Sequence, residues 1–597
     1  MPVISEFYQT RARRFAEEEK NCERQSNRYA WLRLLIMVSA ITSGIVLYPL
    51  SARLGIAVVL LLLAVFAVCL KKHAACIERQ RQNERLKIIN QHELDCLEGD
   101  FSGYAPGSRY INAKHYYTSD LDIFGEHSLF RWLNRTTSPS GNDMLAEWLS
   151  RRALTTEIEA RQQAVIELAG MTDLRQEMQA IGLKHKDVSG ELPEFIEWLN
   201  GDAVLLGNRK LLRAMRLLPW ATLAAIIASF IGWLPSLTAW LLTAVHFAIY
   251  GLTNRKVNFL HHQVSRKVQF ISTYSELIGL LTGAEFSSRY LAALRGCFIE
   301  TGALRQISAL RNRIKKLDYR LNMICVPLNI LFFFDYKHLV WLERWRGGAG
   351  RELPRWFEAL AKIEALSSFA NAVQNNPRWT MPRIVDEYFT LEAENMGHPL
   401  ILERERVCND FSLNGAGQIA VVTGSNMSGK STFERGIGVN MALALAGAPV
   451  CASAFAVTNC RLYTYMRIAD SLEEHASSFY AELKRLKKLI DIVKDGEKVF
   501  FLLDEVLRGT NSRDRQTGSV ALIRQLAGQR VSGIIATHDL ALGELERDLP
   551  DNVRNSHFDV RINGEDMSFD YKLHRGICTS MNASMLMKKI GIEIGDC

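Results

Sequence analysis

The chain lacks the patterns that mark disulfide-rich and zinc-binding proteins. Its eleven cysteines are scattered from Cys22 to Cys597, with no C-x-x-C pair and no His/Cys cluster at zinc-ligand spacing. An odd, scattered set of this kind fits reduced thiols better than a disulfide framework. Low-complexity tracts and short-period repeats are absent as well, which argues against a linker-like or solenoid protein.

A cleavable secretory signal is not expected either, and charge alone identifies no partner. The first thirty residues are polar and charged, and the first apolar run comes only after them. The formal net charge is +8, with a pI near 8.8. This mild excess is compatible with nucleic acid, with an anionic membrane surface, or with neither.

Two apolar stretches stand out from this ordinary composition. Leu34–Leu50 and Leu54–Leu70 contain no Asp, Glu, Lys or Arg, and Ser51-Ala52-Arg53 separates them. Leu217–Leu252 is a longer uncharged stretch with Pro235 near its middle. At about 1.5 Å per residue it is too long for one straight span, so two short spans joined by a tight turn are favoured. The sequence predicts two helical hairpins and four short membrane spans; buried core hairpins are the alternative, because seventeen residues is short for a span.

Basic residues flank both hairpins on the side of the chain ends. This asymmetry predicts a multi-pass protein of the inner or cytoplasmic membrane with both chain ends, and so its C-terminal domain, in the cytoplasm. The spans contain no Asp, Glu, Lys or Arg, so they are interpreted as anchors and no small-molecule transport substrate is expected. The flanking residues are Arg24, Arg28, Arg33, Lys71, Lys72, Arg79 and Arg81 for the first hairpin, and Arg209, Lys210, Arg213, Arg216, Arg255 and Lys256 for the second.

A nucleotide-binding loop is predicted near the C-terminus. The β-branched, apolar run Ile419–Thr423 reads as a buried strand, and it leads directly into a G-x-x-x-x-G-K-S sequence that ends at Ser431. A helical pattern follows from Thr432, which is the strand–loop–helix order that a P-loop requires. In such a loop Lys430 reaches the β- and γ-phosphates, and the Ser431 hydroxyl binds Mg²⁺. The expected cofactors are therefore ATP and Mg²⁺.

Two further apolar strands end in residues suited to ATP hydrolysis. Val499–Leu503 is followed by Asp504, placed to bind Mg²⁺, and by Glu505, placed to polarise an attacking water. Gly533–Thr537 is followed by His538, which is predicted to sense the γ-phosphate. The alternatives are a strand-capping role for the two acidic residues and a structural role for the histidine.

Motifs in the last third of the chain resemble those of the MutS family of DNA mismatch-repair ATPases. Residues 423–432, T-G-S-N-M-S-G-K-S-T, are similar to that family's T-G-x-N-M-x-G-K-S-T loop, in which Asn-Met is distinctive. Residues 503–512 resemble its D-E-x-x-R-G-T-S-T stretch, and residues 536–538 its A-T-H. Further upstream, His398-Pro399-Leu400 resembles the family's H-P-L lead-in, and Cys408-Asn409-Asp410 resembles the segment before its first strand. Ser477-Ser478-Phe479 with Glu482 resembles its S-T-F-x-x-E signature.

The resemblance implies a fold, a dimer and a set of site residues. The fold is an α/β P-loop ATPase domain of the ABC/MutS type at the C-terminus, preceded by an all-α lever region that carries the two transmembrane hairpins. A homodimer is implied, because the signature of one subunit, with Ser477, reaches the nucleotide of the other. The catalytic residues are Glu505 and His538, the metal ligands are Ser431 and Asp504, and the nucleotide-binding residues are Gly424, Ser425, Asn426, Met427, Ser428, Gly429, Lys430, Ser431, Thr432, Asn409 and Ser477.

The predicted domain order follows from the hairpins and from a weak match of residues 117–149 and 364–370 to the lever. It is a cytoplasmic segment at 1–33, the first hairpin at 34–70, a linker helix at 71–116, a first lever segment at 117–216, the second hairpin at 217–252, a second lever segment at 253–378 and the ATPase domain at 379–597.

Several motifs differ from those of the MutS family, and these differences concern the molecule on which the ATPase acts. No mismatch-binding domain is expected before the lever, the G-x-F-Y-E type wedge is missing, and Glu474-His475 stand where the family has Ser-Gly. Binding to DNA is expected, through a basic helical run, but without mismatch specificity. The alternatives are half of an ATP-binding-cassette transporter, which the missing L-S-G-G-Q signature opposes, and an ATP-dependent membrane scaffold with a protein target. The basic run comprises Arg305, Arg311, Arg313, Lys315, Lys316 and Arg320.

Overall fold

The computed structural model describes residues 2–184, 191–201, 206, 209–265, 268–318, 325–387, 389–425, 427–466, 478–529, 531–563 and 566–578. The chain divides into two compact units. Unit 1 contains residues 1–136, 142–172 and 365–597, and unit 2 contains residues 137–141 and 173–364.

Where the structure describes the first 375 residues, their regular structure is entirely helical. The helices are α1 (Pro2–Leu50), α2 (Ala52–Leu97), α3 (Leu129–Leu133), α4 (Pro139–Ser150), α5 (Thr155–Ala169), α6 (Thr172–Gly182), α7 (Glu191–Asn200), α8 (Arg209–Phe230), α9 (Ser236–Ser265), α10 (Val268–Gly283), α11 (Arg289–Glu300), α12 (Ala303–Asp318), α13 (Cys325–Phe332), α14 (Phe334–Gly347) and α15 (Leu353–Asn375).

Helices α1 and α2 form one long antiparallel hairpin that turns at Ser51, as the sequence predicts. Helix α2 continues beyond the apolar run and ends at Leu97, where Gly99 adopts a positive φ of 94° that favours glycine at a helix C-terminus. The range 71–116, predicted as a linker helix, is therefore helical only as far as Leu97. The remainder runs irregularly past Pro106 and Gly107.

The predicted hairpins expose their apolar side chains. Four helical segments are long and apolar enough to cross a membrane by length and composition, namely Val3–Leu50, Ala52–Leu97, Leu212–Phe230 and Ser236–Asn254. Only 11–22% of their most apolar windows is buried. An apolar surface of this extent is rare on a water-soluble monomer, so it is compatible with a lipid-facing role. Their placement in a membrane stays a prediction.

Unit 1 contains two β-sheets, both near the C-terminus. The strands are β1 (Arg383–Val385), β2 (Thr390–Met396), β3 (Asn409–Asn414), β4 (Ile419–Thr423), β5 (Ala454–Thr458), β6 (Arg461–Tyr465), β7 (Val499–Asp504), β8 (Ser532–Thr537), β9 (Val553–Asn563) and β10 (Asp566–Arg575). The helices among them are α16 (Lys430–Ala446), α17 (Ser478–Lys494), α18 (Ser512–Gly528) and α19 (Leu545–Asp548).

The larger sheet has the order β10-β9-β4-β8-β7-β6, and the smaller one β1-β5-β2-β3. In the larger sheet β9, β4, β8, β7 and β6 are parallel to one another, and β10 is an antiparallel edge strand. Strands β4, β7 and β8 are buried along their whole length, which explains their continuous apolar sequences. The three strands predicted from sequence are therefore adjacent, and their carboxyl ends meet at one edge of the sheet.

Candidate functional site

The loop between β4 and α16 curls back on itself at two glycines. Gly424 and Gly429 have φ values of 150° and 105°. A Cβ at Gly424 would lie 2.9 Å from the carbonyl oxygen of Phe558, and one at Gly429 would lie 3.1 Å from the ring of Tyr571. Glycine is needed at both positions, because a side chain would be strained and would meet fixed atoms.

Lys430 begins α16 and its ammonium group lies over the loop. The Nζ atom donates hydrogen bonds to the carbonyl oxygens of Gly424 at 2.6 Å and Ser425 at 2.8 Å. Burial lowers the pKa of Lys430, although the neighbouring carboxyl groups of Glu505, Asp504 and Glu434 oppose this effect. A cation at a helix N-terminus, inside a loop of backbone N–H groups, is suited to a polyphosphate.

The two predicted metal ligands are in contact. The hydroxyl of Ser431 donates a hydrogen bond of 2.7 Å to Oδ2 of Asp504, the last residue of β7. Burial raises the pKa of Asp504, and the Ser431 hydrogen bond opposes that rise. Two hard oxygen atoms so close together fit Mg²⁺, which is commonly held by one or two protein oxygens together with phosphate and water. Among the residues that the structure describes, no cluster of three or more His, Cys, Asp or Glu side chains offers an all-protein metal site.

The predicted catalytic residues meet directly after β7 and β8. Nδ1 of His538 lies 3.3 Å from Oε1 of Glu505, and Nε of Arg508 lies 3.0 Å from Oε2 of the same carboxylate. Glu505 has a positive φ of 51°, which a residue with a Cβ seldom adopts, and its N–H donates to the carbonyl of Ala536. Strain at such a position is typical of functional sites, because the surrounding structure has to maintain it.

A buried acid lies behind these residues. Glu434 is fully buried on α16, and burial, together with the nearby charge of Asp504, raises its pKa well above the usual range. Its neutral form is therefore favoured. Sequence reasoning missed this residue, since a charged position in a helix is normally expected to face solvent.

One cavity of about 660 Å³, a size typical of ligand sites, is lined by Lys430, Ser431, Asp504 and Glu505. His538 and Glu434 are not among its lining residues. The wall residues that were not predicted from sequence as members of the site include Arg508, which the sequence shows only within a longer motif, and Tyr571 from the edge strand β10. No local pattern could have placed Tyr571 there. The lining comprises Met396, Gly397, His398, Ile401, Glu405, Val407, Asn409, Ser425, Met427, Gly429, Lys430, Ser431, Thr432, Phe433, Arg435, Gly436, Met466, Asp504, Glu505, Arg508, Phe558 and Tyr571.

The remaining predicted binding residues differ in their placement. Met427 and Thr432 are exposed at the cavity, whereas the hydroxyl of Ser428 turns inward and donates to the carbonyl of Ser425. The amide of Asn409 donates to the carbonyl of Tyr571 at 3.0 Å and accepts from the N–H of Leu573 at 2.9 Å. Asn409 thus holds β10 against the cavity. Asn426 and Ser477 lie outside the described residues.

The start of α17 packs against the segment that carries Glu505. The carboxylate of Glu482 accepts a hydrogen bond from the N–H of Leu507, and Gly509 lies so close to Phe479 that a Cβ would be 2.7 Å from its side chain. Phe479 and Glu482 belong to the described portion of the signature-like motif. A shift of α17 would therefore displace the loop that positions the carboxylate of Glu505.

A strand–loop–helix phosphate cradle, a Ser/Asp pair and a glutamate at the carboxyl edge of a parallel sheet define a P-loop ATPase domain. Residues 420–591 match the family model for MutS domain V. This region of the chain is therefore similar to MutS domain V, which agrees with the family resemblance of its motifs.

Curated relatives agree with this assignment. The chain is 32% identical to the DNA mismatch repair protein MutS of Thermotoga maritima over 239 residues, which is 39% of the chain and 29% of that protein. It is 29% identical to MutS 2 of Halobacterium salinarum over 263 residues, 43% of the chain and 30% of that protein. It is 28% identical to human MutS protein homolog 4 over 236 residues, 38% of the chain and 24% of that protein. The chain thus covers less than a third of the length of these relatives.

Proposed function

We propose that this chain is a membrane-anchored, MutS-like ATPase that hydrolyses ATP as a dimer and acts on DNA. The observation that carries the proposal is the meeting of Lys430, Ser431, Asp504 and Glu505 in one cavity at the carboxyl edge of the sheet. The family match supports the action on DNA as a dimer, and the exposed apolar hairpins support the membrane anchor.

Each side chain has a role that its geometry permits. Lys430 binds the β- and γ-phosphates, and Ser431 with Asp504 holds the metal. Mg²⁺ would supply charge neutralisation at the phosphates when bound. Glu505 accepts a proton from the attacking water, and His538 and Arg508 orient its carboxylate from its two oxygens. Ser477 of the partner subunit is proposed to complete the site.

One segment of unit 1 joins the nucleotide cavity to the base of the first hairpin. Residues 397–409 line the cavity with His398, Ile401 and Glu405. From the same segment Arg404 lies 3.3 Å from Glu98, and Leu402 packs on Gly99, just beyond the end of α2. We propose that this segment carries the nucleotide state to the membrane hairpin.

Hydrolysis should depend on a divalent metal. Purified, detergent-solubilised protein is expected to release phosphate from ATP in the presence of Mg²⁺, to stop when EDTA is added, and to resume when Mg²⁺ is restored. The reason is that Ser431 and Asp504 supply oxygen ligands but no positive charge of their own. Phosphate release is the measurement, with and without duplex DNA. Unchanged release in EDTA would contradict the metal role, and no release under any condition would remove the ATPase from the proposal.

The hairpin turns are expected on the side of the membrane opposite the ATPase domain. Ala52→Cys and Ser236→Cys, each in a chain with its native cysteines replaced by serine, should react with an impermeant maleimide from the far side only. Asp551→Cys, exposed in the ATPase domain, is the control for the cytoplasmic side. The protein should also resist carbonate extraction, since both hairpins lack charged residues in their spans. Labelling of either turn together with Asp551→Cys would overturn the hairpin topology.

Binding to DNA is expected to be governed by phosphate contacts. In α12, Arg305, Lys315 and Lys316 are exposed, whereas Arg313 lies 5.2 Å from the centre of the Trp341 ring and contacts His338. Replacing the three exposed residues with Ala should weaken binding equally to matched and mismatched duplex. The slope of log affinity against log salt should flatten by about 1 for each contact removed.

The matched control removes three exposed lysines from α17, namely Lys484, Lys487 and Lys494, and should leave affinity and slope unchanged. Filter binding at several salt concentrations is the measurement. A marked preference for mismatched duplex would contradict the proposal, because prying a base step open requires an inserted apolar side chain. Absence of binding at low salt would remove DNA as the target and favour a protein or lipid target.

A further inference from the structure

The second hairpin is not apolar on all sides. The residues of α8 that are buried, Met215, Pro219, Thr222 and Ala225, recur every three or four positions and therefore share one face. In α9 the buried residues His246 and Thr253 are one heptad apart. Apolar side chains on the other faces are exposed, for example Trp220, Phe230, Trp240, Leu241 and Phe247. One face of this hairpin is thus covered by protein, and we call it the polar face because it carries Thr222, His246 and Thr253. The other faces expose apolar side chains.

His246 is the centre of the covered face. Its Nε2 lies 2.9 Å from the hydroxyl of Thr222, and its Nδ1 lies 3.1 Å from the carbonyl oxygen of Ile330 in α13. The ring of Phe333 stacks on the imidazole at 4.9 Å with an interplanar angle of 14°. The short helix α13 therefore covers the polar face around His246, and α12 and α14 also contact α9.

Several backbone groups at the break between α13 and α14 have hydrogen-bond partners. The carbonyl of Ile330 is one of the last four of α13, which have no partner within the helix, and it accepts from His246. Asn329 accepts the N–H of Asp335 on its side-chain oxygen at 3.0 Å, and its own carbonyl accepts from Phe333. Asn329 and Phe333 are almost fully buried. Irregular backbone at membrane depth is tolerated only under such conditions.

We propose that Cys325–Phe334 is a re-entrant membrane element, inserted from the cytoplasmic side and packed on the polar face of the second hairpin. This inference rests on the proposed membrane placement of that hairpin. His246 is ten residues along α9 from Ser236, which corresponds to about 15 Å, or half the hydrocarbon core of a bilayer. The carbonyl oxygen of Ile330 lies 3.1 Å from Nδ1 of His246 and therefore at nearly the same depth. Ile330 is therefore placed near the bilayer centre.

The sequence around α13 agrees with insertion. Residues 321–334 contain no charged side chain, although the chain on either side is charged. Fourteen uncharged residues are too few to span a bilayer but are typical of a re-entrant segment. The exposed residues Lys315 and Lys316 precede the run and the exposed Lys337 follows it, which agrees with both ends returning to the same aqueous side. Asp335 is buried and accepts a hydrogen bond from the Asn329 amide.

The experiment is photolabelling of the unmodified full-length protein in phosphatidylethanolamine–phosphatidylglycerol vesicles. A lipid-soluble aryl diazirine reports contact with the bilayer core, a charged impermeant diazirine reports contact with water, and mass spectrometry maps the modified residues. Leu331 and Phe332 are half-buried, so a portion of each side chain is open to the reagent. We expect the lipid-soluble reagent to modify them several-fold more than Leu304, an exposed apolar residue of α12 that serves as the aqueous control.

The outcomes separate this inference from the function on which it rests. Lipid-phase labelling of Leu241, Phe247 and residues 330–334 together supports both. Labelling of the hairpin without residues 330–334, or modification of Leu331 by the aqueous reagent, overturns the re-entrant element and leaves the hairpin intact. Aqueous modification of Leu241 and Phe247 overturns the membrane placement of the hairpin itself, and the re-entrant element with it.

Discussion

Glu505→Gln is expected to lower ATP turnover by a factor of about 10² to 10⁴ while ATP binding is retained, which is the range that a positioned general base contributes. Gln keeps the size of the side chain, and its amide oxygen can still accept from Nε of Arg508 while its NH2 group faces Nδ1 of His538. What it loses is the basic carboxylate that accepts the proton of the attacking water. The affinity for nucleotide depends instead on Lys430, whose ammonium lies over the loop at 2.6–2.8 Å from two carbonyl oxygens.

Two further variants show whether the effect of Glu505→Gln is specific to turnover. Lys430→Ala should lose nucleotide binding, because no other described cation projects over the phosphate loop in the same way. Glu544→Gln, which changes an exposed carboxylate a few residues beyond His538, should leave both properties unchanged. Fluorescent-nucleotide titration and phosphate release measure binding and turnover separately. If Glu505→Gln hydrolyses ATP at the wild-type rate, the assignment of the water-activating residue is wrong.

The sequence was sufficient for those features of the site that depend on local order. The three buried strands are continuous apolar runs, and each is followed by the residue that its motif predicts, so Ser431 and Asp504 could be paired from their motifs alone. Parallel strands make this inference possible, because their carboxyl ends meet at one edge wherever the chain travels between them. The long hairpin helices were predictable for a similar reason, since uncharged runs flanked by basic residues are a local signal.

Contacts between distant segments were not predictable in this way. Tyr571 reaches the cavity from an edge strand with no motif, and Asn409 holds that strand across 162 residues of sequence. His246 was overlooked because a single histidine in an apolar run has no pattern. Only the structure brings it to the carbonyl of Ile330, 84 residues further along. A single sequence shows which residue types are present, but the packing of the folded chain decides which distant residues come into contact.

At the base of the first hairpin, a network of several side chains from distant segments was likewise not predictable from the sequence. Glu93 of α2 is almost fully buried, and Arg135 contacts both of its oxygens at 2.5 and 3.1 Å. Asn371 and Asn375 of α15 donate to the same carboxylate at 3.0 and 2.9 Å, and Tyr8 of α1 donates to Asn375 at 2.6 Å. One buried carboxylate therefore joins both helices of the hairpin to the end of α15.

The residues that contact Glu93 keep its carboxyl group ionised. Burial alone would raise the pKa of Glu93, but the charge of Arg135 and the hydrogen bonds from Arg135, Asn371 and Asn375 outweigh burial and lower the pKa to about 2. A carboxyl group whose pKa is lower in the folded state stabilises the fold above its unfolded pKa, and this contribution is lost as pH falls toward the folded value. The stability that Glu93 supplies should thus be complete at neutral pH and disappear between about pH 5 and pH 2.

Glu93→Ala is consequently expected to destabilise unit 1 by about 3–5 kcal/mol at neutral pH, because it leaves the buried Arg135 without a counter-charge. For a unit of this size that corresponds to a fall of about 4–6 °C in the thermal midpoint, measured by intrinsic fluorescence of the detergent-solubilised protein. The difference from wild type should shrink as pH is lowered from about 5 toward about 2, because the unfolded chain then binds a proton at Glu93 that the folded wild type does not bind until pH nears its lower pKa. Arg404→Ala, which breaks the exposed ion pair with Glu98 beside the end of α2, is the matched control and should leave the midpoint unchanged.

A second variant separates loss of charge balance from loss of packing. Replacing Glu93 and Arg135 together with Met and Leu removes both charges and keeps most of the volume, so it should recover much of the lost stability. Below its midpoint Glu93→Ala should still hydrolyse ATP, since no atom of Glu93 lines the nucleotide cavity. An unchanged midpoint in Glu93→Ala would show that the network does not fix the hairpin to unit 1. A double variant as unstable as Glu93→Ala would show that hydrogen-bond geometry, rather than charge pairing, holds these helices together.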